Sequence, residues 1–328
     1  MSRLIATLFL LAAVAGAAWI LEGWQFSSAG PWARRGSETL VEVLPGQGLW
    51  GVATQLHNAG LIDSAPLFEI GVRLRGESGL LRAGEYAIPS RASMEDIADI
   101  LIVGRSIEHK VTAAEGLTSG MIAQIINANP ELTGPPETPP EEGTLLPETY
   151  FFNKGAARSS IVTRMGEAQS SFVSRAWASR VPGLPFQTPQ AAVTLASIVE
   201  KETAIPEERR RIAAVFINRL RLGMKLESDP TVIYGINRGY PLGHGILASE
   251  LSRVTAYNTY AILGLPPTPI CNPGKDAIMA VLNPEHSADL YFVANGTGGH
   301  AFAVSKSEHD RNVARWRKLE SVSLRLRP

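Results

Sequence analysis

A single cysteine, Cys271, in 328 residues leaves no partner for an intrachain disulfide and excludes a thiolate zinc site. Net charge is missing too. Thirty-one basic residues balance 31 acidic ones, and no run of one sign offers nucleic acid a local field. The six histidines show no HExxH or other close ligand spacing, so no metal is assigned. There is no GxSxG elbow for serine chemistry and no GxxxxGK[ST] or GxGxxG cradle for a phosphate, and no cofactor is expected. What is present is carboxylates in apolar surroundings, within a chain that is 45% hydrophobic and long enough for two or three compact domains.

Leu4 to Leu21 is uncharged, follows Arg3 and precedes Glu22. As a helix it would span about 27 Å, near the thickness of a bilayer core. A cleaved signal peptide ending at Ala15-Gly16-Ala17 is the competing reading, but the apolar run continues through Trp19, Ile20 and Leu21. The expectation is a transmembrane helix over 4–21, a cytoplasmic tip over 1–3 and a linker over 22–38. The remainder would lie on the periplasmic side of the inner membrane.

Three units of similar build follow, each an extended segment, a turn and a short amphipathic helix. In Val41 to Ile62 a Pro45-Gly46 turn precedes Leu49, Val52, Ala53 and Leu56 at helical spacing. In Gly84 to Gly104, Ser93 is a natural N-cap with Ile97, Ile100 and Leu101 on one face. In the third, from Lys110, Ile122, Ile125 and Ile126 are expected inward. VLPGQGLWGVA in the first unit resembles a LysM glycan-binding motif, which would place a LysM-like α+β region over 39–108. Trp50 reads there as core rather than as a sugar-stacking ring.

The loop Thr133 to Thr144 contains four prolines and precedes LLPETYFF. Glu148 within that strand-like run is either an edge residue facing water or a site acid. Pro189 fits the first turn of a helix whose apolar residues lie all round, marking it as enclosed by protein. That helix ends in Glu200, Lys201 and Glu202. At i and i+2 the two acids point about 200° apart, so only one can face a given cleft. Pro206, Glu207 and Glu208 start another helix, with Asn218 and Arg219 beside its apolar stripe. SDPTVIYG is expected as a turn at Asp229-Pro230 and a short strand ending at Tyr234-Gly235, followed by a Gly-rich segment. AYNTY gathers Tyr257, Asn258, Thr259 and Tyr260, which by themselves read as a turn with exposed tyrosines, although such rings and amides also suit a sugar. LYFVANGTGGHAFAV reads as a hairpin, and Ser305 with Glu308 caps a final basic helix. The region 109–328 is therefore α+β with a small sheet.

A carboxylic acid in apolar surroundings has its proton affinity raised and suits general-acid work on a glycosidic oxygen. No second acid is securely placed, which favours a mechanism in which the substrate supplies the missing group. With LLPETY, ASIVEKET, VFINRL, SDPTVIYG, AYNTY, GLPPTPICNPG and LYFVANGTGGH in this order, the chain resembles the YceG-like family of endolytic murein transglycosylases. The resemblance implies cleavage of peptidoglycan strands with 1,6-anhydro ends, and Glu200 as the catalytic acid with Glu202 second. It also implies a glycan cleft lined by Asn218, Asp229, Tyr234, Tyr257 and Asn258, with peptidoglycan synthases as possible neighbours. Glu227 stands where the family has Gln, and its orientation decides whether it couples to Glu200. The alternatives are a membrane-tethered glycan-binding scaffold and a pyridoxal-phosphate lyase built on Lys201.

Overall fold

The computed structural model describes residues 23–104 and 106–325, which form two compact units. One gathers the chain through Lys110 with Glu131–Thr133 and Phe151–Ala157; the other holds the rest. In the first unit, β1 (Glu38–Val43) and β2 (Gly84–Pro89) pair antiparallel, with Val41 opposite Tyr86 and Val43 opposite Gly84. Strand alternation turns Val41, Val43, Tyr86 and Ile88 into a core closed by α1 (Leu49–Asn58), α2 (Ala65–Leu74) and α3 (Met94–Val103). The Ser93 hydroxyl accepts from the Asp96 N–H at 3.0 Å while Asp96 accepts from the Ser93 N–H at 2.9 Å, a reciprocal cap that fixes where α3 begins. Trp50, expected inside, is instead 53% exposed on the first turn of α1. The inward stripe is Val52, Ala53 and Leu56, and position 50 lies off it.

A second two-stranded sheet pairs β3 (Glu108–Thr112) with β4 (Thr149–Asn153). In the second unit, α4 (Ser119–Ala128) buries Ile122 and Ile126, whereas Ile125 is turned outward, one residue off the stripe. The helices α5 (Arg158–Ala178), α6 (Pro189–Glu202), α7 (Pro206–Arg221), α8 (Asp229–Asn237), α9 (Ala248–Leu251) and α10 (Lys275–Leu282) follow. The hairpin β5 (Tyr291–Ala294) and β6 (His300–Ala303) and the helix α11 (Lys306–Arg325) complete it. Leu195, Ala196, Ile198 and Val199 of α6 are all sealed from solvent, between α7 and α10. This all-round burial removes roughly 25 cal/mol per Å2 of apolar surface from water and makes α6 a rigid mount for whatever its end carries. SDPTVIYG is helical, not a strand. Pro230 at the first turn and Asp229 at the positive end start α8, and burial of Val232 and Tyr234 outweighs the β-branched content that suggested a strand.

The fold is α+β with small two-stranded sheets. Among the described residues no helix is long and apolar enough to cross a membrane. The stretch 4–21 that prompted the expectation of a transmembrane helix lies outside the described residues. The single-pass inner-membrane topology, the membrane as a partner and the periplasmic placement all rested on that helix and are set aside with it.

Candidate active site

The end of α6 carries two acids that look in different directions. Thr203 leaves the helical region, its hydroxyl accepts from the Ile205 N–H at 3.0 Å, and Pro206 starts α7, so the helix ends at Glu202. Because both acids are still helical, they diverge.

Glu200 points to the start of α10. Its Oε2 accepts from the Gly274 N–H at 2.9 Å, and Oε1 lies 3.9 Å from the Arg209 guanidinium, which also meets Asp276 at 3.3 Å. A Cβ on Gly274 would come within 1.8 Å of Glu115 Oε1, so glycine lets the Glu115 carboxylate lie close against the backbone that donates to Glu200. Burial raises the Glu200 proton affinity; the Gly274 N–H, Arg209 and Lys201 oppose that, and Glu115 adds to it. Glu148 is an exposed partner of Lys275 on the first turn of α10. The Lys201 ammonium donates to the Gly116 carbonyl at 3.3 Å.

Glu202 points to the start of α8 and meets no cation directly. It accepts from the Ser228 hydroxyl, whose residue precedes Asp229. Burial pushes its carboxyl up to about 7; Asp229 pushes the same way, against the Ser228 hydroxyl, His300 and Arg219. The hydroxyls around it are closely tied. The Ser228 N–H donates to Thr259 Oγ1 at 2.9 Å, Thr231 Oγ1 and Thr259 Oγ1 lie 2.8 Å apart, and the Thr259 N–H donates to Thr231 Oγ1 at 3.2 Å. These bonds lock the AYNTY segment against α8. Tyr260 then donates to Asp229 Oδ1 at 2.7 Å, and burial raises its own proton affinity. Asp229 and Glu202 thus share one site, with Asp229 at the solvent side.

Asn258 acts beneath this site. Its amide donates to the carbonyls of Leu251 at 2.9 Å and Arg253 at 2.6 Å, and its Oδ1 accepts from the Tyr260 N–H at 2.9 Å, which sets the approach of Tyr260. Asn218 is further away in role. Its amide donates to the carbonyls of Ser287 at 2.8 Å and Asp289 at 3.1 Å, so it holds a loop and has no donor left to offer. Glu227, with φ +54°, turns to Arg219 at 3.1 Å, away from Glu200. Arg219 itself is buried and also donates to the carbonyls of Leu226 at 2.9 Å and Leu290 at 2.7 Å, which shapes the approach to Ser228.

Tyr234 and Tyr257 come together with ring centroids 4.8 Å apart. The Tyr234 hydroxyl donates to Glu142 Oε2 at 3.1 Å, and Tyr257 shares a 2.8 Å hydrogen bond with Thr268. Glu142 was not anticipated. In TPPEEGT it has the look of a solvated loop acid, yet its Oε1 accepts from the Ser119 N–H at 2.7 Å and the Asn272 amide at 3.2 Å. A second unanticipated pair is Glu208 with His300. Glu208 accepts from the His300 N–H at 2.9 Å and meets Nδ1 at 2.6 Å, which pins the β5–β6 turn beside the site. Only the hairpin's GTGGH ending hinted at a fixed tip, and nothing local named Glu208 as its holder.

Comparison with known proteins adds a family. The YceG-like family model matches residues 41–315. An endolytic murein transglycosylase of Streptococcus pneumoniae is 30% identical over 322 aligned positions, covering 84% of this chain and 57% of the relative. One of Bacillus subtilis is 27% identical, covering 83% of this chain and 82% of the relative. This chain therefore spans little more than half the length of the pneumococcal protein. A YceG-like protein of Listeria monocytogenes, solved at 2.6 Å, superposes with a TM-score of 0.53 at 26% identity, covering 84% of this chain and 98% of that one.

Proposed function

The chain belongs to the YceG-like family, and on that premise we propose that it is a lytic transglycosylase that cuts within peptidoglycan strands, between N-acetylmuramic acid and N-acetylglucosamine. The observation that carries this reading is Glu202, a buried carboxyl with its proton affinity brought to about 7 at the end of a rigid helix. Of the two acids, Glu202 is the better proton donor. At Glu200 a backbone N–H and a guanidinium offset part of the rise that burial and Glu115 produce, whereas at Glu202 burial and Asp229 prevail and carry the carboxyl to about 7. Glu200 fits a supporting role that anchors the start of α10.

In the reaction, protonated Glu202 gives its proton to the glycosidic oxygen as the bond from C1 of the muramic residue breaks. The substrate's acetamido group and the negative charge of Asp229, fixed by Tyr260, support the positive charge growing at C1. The Glu202 carboxylate then takes the proton from the muramic C6 hydroxyl as that oxygen attacks C1. A 1,6-anhydro ring closes and the acid is restored, so no water is consumed.

The test is mass spectrometry of products from purified glycan strands, using the wild type, Glu202→Gln and Glu200→Gln. Anhydromuramic ends from the wild type and Glu200→Gln, with none from Glu202→Gln, are expected. The opposite ranking of the two variants would move the acid to Glu200. Reducing ends alone would make the enzyme a hydrolase, and glycan binding without any cleavage would leave a scaffold.

A further inference from the structure

The Tyr234–Tyr257 pair is built more firmly than a surface tyrosine cluster requires, and it carries a cation. Below it, Glu142 joins the Pro-rich loop to Ser119, Asn272 and the Tyr234 hydroxyl, so the Tyr234 ring cannot swing. Above it, Arg238 caps α8 in the left-handed region with φ 53°, a conformation that non-glycine residues adopt rarely and at a cost. The next residue fixes that turn: Gly239 has φ +82°, and a Cβ there would lie 2.7 Å from Thr118 Cγ2. The outcome is an exposed guanidinium held 5.8 Å from the Tyr234 ring centroid. The phenols of Tyr234 and Tyr257 act on it, and its charge also reaches the Glu142 carboxylate. The Tyr234 phenol is pushed up to about 12 by burial and then by Glu142, so it supplies no charge of its own. Glu142 is committed to Ser119, Asn272 and the Tyr234 hydroxyl, so the exposed guanidinium keeps a face open to a ligand carboxylate.

We propose that Tyr257 and Arg238 form a subsite for a sugar bearing a carboxylate, the ring receiving the sugar face and the guanidinium its acidic substituent. This rests on the peptidoglycan reading above. Muramic acid differs from its neighbour in the strand by a lactyl ether at C3, which ends in a carboxylate when bare and carries further carboxylates when extended by a peptide. A planar fork of N–H donors suits that group, and a lysine would be a poorer match. Arg238 is thereby a specificity-determining residue, remote from the proton transfer.

The experiment measures binding of three muroglycan oligosaccharides of equal length to the full chain. One set has free lactyl carboxylates, one carries stem peptides, and in one the carboxylates are converted to neutral amides. Arg238→Asn is compared with the wild type because asparagine tolerates the left-handed turn, and circular dichroism with thermal melting checks its fold. We expect about tenfold tighter binding of at least one acidic form over the amide form, with the difference lost in Arg238→Asn and partly kept in Arg238→Lys. Which acidic form shows the difference tells the lactyl source from the peptide source. Equal binding of all three forms by the wild type, or discrimination unchanged in Arg238→Asn, overturns the inference while leaving the peptidoglycan reading intact. Failure of the wild type to bind any of the three overturns both.

Discussion

Glu200 and Glu202 lie two residues apart on one helix, yet the two sides of that helix end do different things to a carboxyl group. On the Glu200 side the neighbours are a backbone N–H, a buried arginine and a glycine that lets two acids approach. On the Glu202 side they are a serine and two threonines, with an aspartate beyond. The first set offsets part of the rise in proton affinity that burial gives Glu200 and ties elements together; the second leaves the proton in place until something draws it off. Residue type and spacing are the same on both sides, so the difference comes entirely from segments that arrive from elsewhere in the chain.

The comparison breaks most directly at Glu202. Glu202→Gln should lower turnover about a thousandfold, the scale of a general acid, with binding little changed. Its effect on stability has a definite sign. An acid whose folded pKa of about 7 lies above its ordinary value binds its proton more tightly when folded, so its contribution is fully present below the ordinary value and is lost as pH rises to 7. Glu202→Gln should therefore melt higher than the wild type at pH 8, by on the order of 1–2 kcal/mol, and nearly level with it at pH 4. The same titration predicts wild-type activity falling on the alkaline side of about 7.

Glu200→Ala tests the other side. It leaves the Gly274 N–H and Arg209 short of a partner, and should cost about 2–3 kcal/mol in chemical denaturation. Glu200→Gln should keep the N–H bond, most of the stability and turnover within about threefold. Tyr260→Phe removes the hydroxyl from Asp229 without emptying space, and should lower kcat about tenfold with KM unchanged. The smallest effect is expected at Asn218. Asn218→Ala should cost about 1 kcal/mol in melting experiments and leave kcat unaltered, since that amide holds carbonyls of the 287–289 loop.

Much of this architecture was legible in the chain. All-round apolarity identified α6 as enclosed, Ser93 and Pro189 marked helix starts, and the GTGGH segment marked the hairpin tip. Helical arithmetic also separated Glu200 from Glu202. It could not rank them, because the ranking depends on Gly274, Arg209 and Ser228, which lie 74, 9 and 26 positions from their acids. SDPTVIYG misled for a related reason. Val232 and Ile233 favour a strand locally, while the Ser228–Thr231–Thr259 bonds and the burial of Val232 that settle the helix are tertiary. Glu142 and Glu208 were hidden because an acid in a proline loop and an acid in a first helical turn both have ordinary solvated explanations. Asn218 shows the converse, a polar residue beside a core stripe whose partners are backbone carbonyls.

The hydroxyls of Ser228, Thr231 and Thr259 are rotors. Each can donate or accept by turning about a single C–O bond, and none carries a charge that would change with pH. When Glu202 gives up its proton, the serine O–H can face it; when the proton returns, the O–H can turn away. A cycle of proton loss and recovery is thus absorbed by hydrogen atoms alone, with the backbone and every heavy atom around the acid left where they were.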